Sequence, residues 1–542
     1  MLAQVVCKVM ATLLAVNYAT AQTFGFTTSS DSTKWVINTG KGLSLTMIRA
    51  SCDISSLKYN GQELQYSSQR THVNSGLGSV SSQIALTTVG STQTIQVTCS
   101  KTGLTQYYFF RANENAMYMG TYHSSDLVLP ELRFLARLDR STVPTGITEA
   151  TQDSSMSAIE AEDIYATTAN ITRSKYYSAV PFYQDQIHGV RGSKAGVYFV
   201  MSDRAYETSS GGPFFRDINN KVAVANELTF YMNSDHTRTE DYRYGFHGPY
   251  ALVFTDGPAP TSTSVVNFDF FQGLKLQGFV PDSQRGRVQG TINDPKGVLA
   301  SSNVVVGFKN ANAQYWTQIA AGGKLTYQSP LMKPGQYTMT IYKKQLAVGT
   351  ANVAVSTTVA TTNIAVAYPH DKTALWTIGE WDGTPDGFLN ADKIQKMHLS
   401  DARMTSFKPL TFTVGKNVAA DFPLALFRGT NDPLVISFQL TSQQAAQAHV
   451  LNIGVTLAQS NARPSVAVNN WNGPVLTTSA VKTRGITRGV TTGNYALYTY
   501  NVPASAFVAG ANKISLTIAS GSPDPAEKFL AASVVFDALE LI

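Results

Sequence analysis

Short runs in which apolar and polar residues alternate recur along the whole chain. "IQVTCS" (Ile95–Ser100), "VNFDFF" (Val266–Phe271) and "YTMTIYK" (Tyr337–Lys343) each set apolar or aromatic groups on one side and polar groups on the other. Successive side chains of a strand point to opposite faces, so each run reads as a half-buried strand. Long stretches with helical spacing are missing. The pattern predicts an all-β protein built from packed sandwiches.

Two breaks divide the pattern. In "GFVPDSQRGRVQG" a Pro-Asp pair ends one strand-like region before two glycines open the next, and "AYPHDKTALW" makes a second break at Pro369. The expected segments are 22–280, 281–368 and 369–542. The middle one, with several short strands and a Lys-Pro-Gly turn at 333–335, reads as a fibronectin-like sandwich. The last, with Gly-rich turns and strands ending in "VVFDALELI", reads as a jelly roll. The length of 542 residues exceeds what one core serves, in keeping with several domains. Charged residues make up only 14%, which suits antiparallel sheets rather than disorder. A net charge of +6 argues against a dedicated nucleic-acid binder and is compatible with a polyanionic carbohydrate.

At the N-terminus Lys8 precedes an apolar run, Val9 to Val16, and Ala19-Thr20-Ala21 is a small-x-small cleavage pattern. Residues 1–21 therefore read as a secretory signal peptide, too short to span a membrane, and the protein is expected to be secreted and soluble. Cys7 leaves with that leader. Cys52 and Cys99 remain, and a disulfide between them is the economical reading in an oxidising compartment; two buried free thiols are the alternative. Asn170-Ile171-Thr172 is an N-glycosylation sequon.

Titratable and aromatic residues concentrate in the first segment. "YMNSDHTRTEDYRYGFHGPY" (Tyr231–Tyr250) gathers two histidines, two arginines and several tyrosines, and "TRSKYYS" holds Lys175 beside two more tyrosines. His236 sits among polar residues that offer nothing to bury it, which marks a loop or site residue, whereas His247 in "GFHGPY" reads as structural. In "PELRFLARLDR" a strand puts Arg133, Leu135 and Arg137 on one face and Leu132 and Phe134 on the other. A basic side chain fixed on a strand is either a carboxylate clamp or part of an exposed face. A glycosidase needs two carboxylates across a cleft; "IEAEDIY" supplies Glu160, Glu162 and Asp163, but three neighbouring acids more often form a solvated turn. Neither G-x-S-x-G nor H-E-x-x-H occurs. The Lys/His/Arg/Tyr inventory suits elimination instead: a cation neutralises a uronate carboxylate, and a histidine removes the adjacent C-5 proton.

The stretches "SSCDISSLKYNGQELQYSSQ", "GLTQYYFF", "ELRFLARL", "TRSKYYS", "SSGGPFFRDIN", "YMNSDHTRTEDYR", "HGPY", "QYWTQ", "MKPGQYTM", "IGEWDGTPDGF" and "MHLSDARM" follow one another from end to end. In this order they resemble the secreted fungal rhamnogalacturonan lyases of polysaccharide lyase family four. The resemblance implies an N-terminal β-supersandwich like that of galactose mutarotases, a fibronectin type III-like domain and a jelly roll similar to carbohydrate-binding modules. It implies endo-acting β-elimination at the rhamnosyl-α-1,4-galacturonosyl bond of rhamnogalacturonan I, with no cofactor for catalysis. By that resemblance the catalytic lysine falls on Lys175, the base on His236, and substrate-binding residues on Arg133 and Tyr231. A monomer with no membrane or nucleic-acid partner is the default expectation.

Two positions depart from relatives of this type: Thr229 stands where a tyrosine can occur, and Asp235 where a glycine can. An Asp235 carboxylate turned toward the imidazole raises its pKa; turned to solvent it does not. In the last segment Trp376, Trp381 and Trp471 are core residues or sugar-stacking surfaces, with the core favoured for at least two. Such jelly rolls often hold a structural calcium, for which Asp382, Asp386 and Asp537 are the candidate ligands.

Overall fold

The computed structural model describes residues 23–126, 131–370, 373–477, 483–519 and 529–542. The expected signal peptide lies outside the described residues. Nearly all regular structure is strand, and the first 280 residues carry four sheets.

A five-stranded meander from Gly25 to Glu63 packs over a seven-stranded sheet, whose centre is formed by Gly245–Thr255, Ala116–His123 and Leu104–Arg111. A four-stranded sheet runs in the order Asn220–Val222, Asn226–Asn233, Leu132–Leu138, His72–Val73. The inner faces of these three sheets meet in one core through Leu45, Val97, Phe110, Met119, Phe134, Phe199, Phe230 and Tyr250. Phe134 pairs with Phe230 across the two central strands and both are buried there. Truncating either to alanine costs about 3–5 kcal/mol.

Both faces of the seven-stranded sheet are covered. In "LTQYYFF" Tyr108 and Phe110 enter the inner core, while Tyr107 and Phe109 join an outer cluster with Tyr118, Val253, Phe270 and Phe271. This corrects the reading of "VNFDFF" as a strand. It is a loop with a 3-10 turn, Asp269–Gly273, laid over the outer face. Its spaced aromatics imitate alternation because they cover a sheet rather than join one.

The predicted disulfide is formed between Cys52 and Cys99, with the sulfurs 2.04 Å apart. It fastens the turn before the strand Ile54–Tyr59 to the strand Thr92–Lys101.

Residues 287–365 form the middle sandwich, whose larger sheet is Gln314–Ile319, Val304–Lys309, Gly335–Lys343 and Leu346–Val355. Its seam with the first domain is buried and charged. Glu207 accepts from Arg285 (2.7 and 3.1 Å) and from the Tyr315 hydroxyl (2.8 Å), and pairs with Lys333 (3.0 Å). These cations hold the Glu207 carboxyl at about 2 against the opposing effect of burial.

Two five-stranded sheets make the last domain, around a core that includes Phe422, Phe427, Phe438, Tyr498 and Phe536. Trp376 is in that core, Trp471 lies partly buried at its edge, and Trp381 belongs to the core of the middle domain. Trp381 is stacked on His370 at 3.5 Å.

Candidate active site

The four-stranded sheet turns one face to the core and the other to a cluster of charged and aromatic side chains. Arg133 lies opposite Tyr231 on that outer face, just past a bulge at Leu132/Arg133. Its guanidinium donates to the Tyr231 hydroxyl and to Ser75 Oγ (3.1 Å), pairs with Glu131 (3.2 Å) and lies over the Tyr231 ring. Leu135 and Arg137 share this face, and Arg137 is engaged farther along by Glu227 (3.3 Å).

Lys175 follows a three-residue edge strand, Thr172–Ser174, and opens a single 3-10 turn, Lys175–Ser178. The turn forms here because Ser174 Oγ accepts the Tyr176 N–H (3.1 Å), capping a helical donor that the short strand leaves unpaired. Ser178 Oγ donates to the Lys175 carbonyl (2.8 Å) and accepts the N–H groups of Asn219 (2.9 Å) and Asn220 (2.8 Å). One hydroxyl thus ties the lysine's turn to the segment that carries Asp217. The Lys175 ammonium pairs with Asp163, whose other oxygen accepts the Tyr176 hydroxyl (3.0 Å).

His236 sits in the loop after the strand Asn226–Asn233, its N–H bonded to Ser234 Oγ (3.1 Å). Nδ1 meets Asp217 Oδ2 at 3.2 Å, and Asp217 is only 3% exposed. A carboxylate there fixes the proton of the neutral ring on Nδ1, so the lone pair is on Nε2. Nε2 lies 3.7 Å from Glu131 Oε2. Tyr176 and Tyr231 pack edge-on against the ring at 5.6 and 5.5 Å. Burial opposes protonation of His236, but the charge and hydrogen bond of Asp217, with a smaller push from Glu131, carry its pKa above the ordinary histidine value; Arg488 pulls the other way. Burial would lift the Asp217 carboxyl, yet the neighbouring imidazole holds it below its usual range.

Lys175, His236, Arg133 and Tyr231 are thereby gathered into one cluster. Sequence reasoning missed five partners: Asp217, Glu131, Asp163, Tyr176 and Arg488. Asp217 had a signal, a lone acid after an arginine in the apolar "PFFRDI". Arg488 had none, since it comes from the last domain. Asp235 is turned away from the base, about half exposed, toward Arg238 (3.9 Å) and the Tyr242 hydroxyl (3.4 Å). Thr229, buried two residues before Tyr231, presents no ring to the cluster. Glu160 and Glu162 do not face each other across a cleft: Glu160 is buried between His398 and Arg488, and Glu162 is exposed. His247 is buried against His123, with Nε2 atoms 2.9 Å apart.

A histidine raised in basicity by a buried carboxylate, beside a lysine and an arginine, suits removal of a proton next to a neutralised carboxylate. Residues 24–278 match the family described as rhamnogalacturonan lyase B, N-terminal; residues 284–364 and 374–541 match domains II and III of polysaccharide lyase family 4. The chain is 40% identical over 542 residues to a protein of Aspergillus aculeatus named rhamnogalacturonate lyase A, covering 98% of this chain and 99% of that one. It is 39% identical over 525 residues to a protein of the same name from Emericella nidulans, covering 96% of each.

The chain belongs to polysaccharide lyase family 4.

As a member of that family it has the expected three-part β architecture, with a fibronectin-like domain II and a domain III like carbohydrate-binding modules. At the calcium position expected in domain III, two of the three acids lie against a lysine. Asp382 is engaged by the Lys344 ammonium (2.5 Å) and by Thr384, and Asp386 lies 3.7 Å from the same ammonium. Asp537 Oδ1 accepts the N–H groups of Asp382 (3.1 Å) and Gly383 (2.8 Å). Among the described residues, no group of three or more His, Cys, Asp or Glu is disposed to hold a metal.

Proposed function

We propose that this protein is an endo-acting rhamnogalacturonan lyase that cleaves the rhamnosyl-α-1,4-galacturonosyl bond of rhamnogalacturonan I by β-elimination. The observation that carries the reading is the Asp217–His236 pair, set in the same cluster as Lys175 and Arg133.

The C-5 hydrogen of a galacturonate is α to a carboxylate and weakly acidic while that group is charged. Lys175, oriented by Asp163, neutralises the carboxylate and stabilises the enolate-like transition state. Arg133 and Tyr231 position the sugar. His236 Nε2 takes the C-5 proton, the C–H electrons become the C-4/C-5 double bond, and the bond from C-4 to the glycosidic oxygen breaks. That oxygen leaves with the rhamnosyl residue and takes a proton from water, the imidazolium returning its proton to solvent, which gives a 4,5-unsaturated galacturonate at the new non-reducing end. Asp217 stabilises the imidazolium that forms.

The same reading makes the protein a secreted, pectin-degrading monomer. Its leader-like N-terminus, its disulfide and the exposed Asn170 of the sequon support that location. Among the described residues no helix is long and apolar enough to cross a membrane.

The test is ultraviolet absorbance over time on purified rhamnogalacturonan I and, separately, homogalacturonan. A rise on the first substrate alone is expected. Chain shortening without absorbance means hydrolysis and overturns the reading.

A further inference from the structure

Two side chains of the last domain, Arg488 and Asp401, leave its own fold to grip the machinery of the first, joined by two backbone N–H groups. Arg488, 7% exposed at the end of the turn Gly485–Arg488, donates through Nη1 to the backbone carbonyl of His236 (2.9 Å). Its Nη2 meets Asp163 Oδ2 (3.4 Å), its Nε lies 3.5 Å from Glu160, and the guanidinium lies 5.1 Å from the centre of the Tyr176 ring. Asp401, 3% exposed, accepts both the N–H (2.8 Å) and the hydroxyl (2.6 Å) of Thr172. The His398 N–H donates to the same hydroxyl (3.1 Å), and the Ala402 N–H donates to the Asn170 carbonyl (3.0 Å).

Thr172 opens the edge strand of a three-stranded sheet, so among the described residues one side of that strand has no partner strand within its own domain. An unpaired edge beside a lysine that must hold its place to a fraction of an ångström is a weak mount. The last domain completes that edge through Asp401 and Ala402. Arg488 in turn touches the backbone of the base itself and the carboxylate that orients the lysine.

Taking the lyase reading as its basis, we infer that the third domain is part of the elimination apparatus, with Arg488 and Asp401 as positioning residues that hold His236 and Lys175 in mutual register. An interface that only glued domains together would be expected to make its contacts between surface groups. Here the contacted atoms are the His236 carbonyl, the lysine's counter-ion and the strand that launches Lys175. Displacing a reacting group by about 1 Å costs roughly 10²-fold in rate.

The test compares Arg488→Met, Arg488→Lys and Thr172→Val with the unaltered full-length protein. Initial rates of ultraviolet absorbance on rhamnogalacturonan I are taken across pH, beside melting temperatures. Arg488→Met is expected to lower kcat about 10²-fold with KM changed less than about threefold. Its acid limb moves to higher pH, because the Arg488 charge that opposes protonation of His236 is gone while Asp217 and Glu131 remain. Arg488→Lys keeps the limb in place and recovers part of kcat. Thr172→Val, nearly isosteric, lowers kcat with the limb unmoved, and with Arg488→Lys it carries the test if the methionine variant does not fold. Unchanged kcat and pH profile in Arg488→Met overturn the inference, as does lost activity that follows lost melting temperature alone. If the unaltered protein produces no absorbance, the lyase reading itself falls, a result distinct from either.

Discussion

His236 Nδ1 stands 3.2 Å from Asp217 Oδ2, and that carboxylate is almost wholly enclosed by protein. This pairing sets both the tautomer and the basicity of the proposed base. Asp217→Asn keeps the shape, removes the charge and allows the wrong tautomer. A kcat about 10²- to 10⁴-fold lower is expected. The sign of the pH effect is fixed as well. Only neutral His236 accepts a proton, so its raised pKa puts the acid limb of the wild-type profile above the ordinary histidine value of 6.5. With Asp217 neutralised, Glu131 and Arg488 oppose each other, burial dominates, and the limb moves down. A pH–kcat/KM profile checks this; a limb that stays in place removes Asp217 from the mechanism.

Lys175→Ala and His236→Ala are each expected to lower elimination by at least about 10³-fold. The fold survives in the lysine variant because Asp163 keeps Arg488 and the Tyr176 hydroxyl as partners. Rates on rhamnogalacturonan I with near-ultraviolet circular dichroism as the folding control decide the matter. Near-normal turnover in either variant reassigns that residue.

The cysteines that close the disulfide are 47 positions apart. The loop-entropy estimate for closing a loop of that size is about 4 kcal/mol. Replacing both cysteines by alanine should therefore lower denaturant stability by about 2–5 kcal/mol while leaving kcat intact, since neither residue touches the active-site cluster. Chemical denaturation of the two proteins in parallel measures it.

Asp537 gives a different pH signature. Burial, aided by the neighbouring Asp382 charge and against the backbone N–H groups of Asp382 and Gly383, pushes its carboxyl up to about 7 from an ordinary 3.8. An acid whose folded pKa is raised binds more protons folded than unfolded, so its contribution to stability falls as pH rises from 3.8 to about 7. Asp537→Asn keeps an oxygen for those N–H groups and carries no charge. It should match the wild type near pH 4 and exceed it by on the order of 2–4 kcal/mol at pH 8. Melting curves at the two pH values test this, and equal gaps at both would remove the titration from the explanation.

Alternation made the strands legible, because one-sided burial writes a period of two into the chain. It misled at Val266–Phe271, where a covering loop carried the same spacing. The outward face of Arg133 was readable from "ELRFLARL", since its neighbours had to be apolar to fill the core. Lys175 and His236 stood out by residue type, but only the resemblance ranked them first. Asp217 and Arg488 were harder to reach, because each acts through a long-range contact. Arg488 meets the His236 carbonyl from 252 positions away, and local pattern carries no trace of that.

Glu207 brings this chain's second domain into a bond that neither domain satisfies by itself. With the two domains pulled apart, the Glu207 carboxylate would lose Arg285, Lys333 and the Tyr315 hydroxyl together. Together with the grip of the third domain on the first, this makes partial melting expensive. A calorimeter should record a single endotherm for the whole chain, in the manner of one cooperative unit rather than three beads on a string.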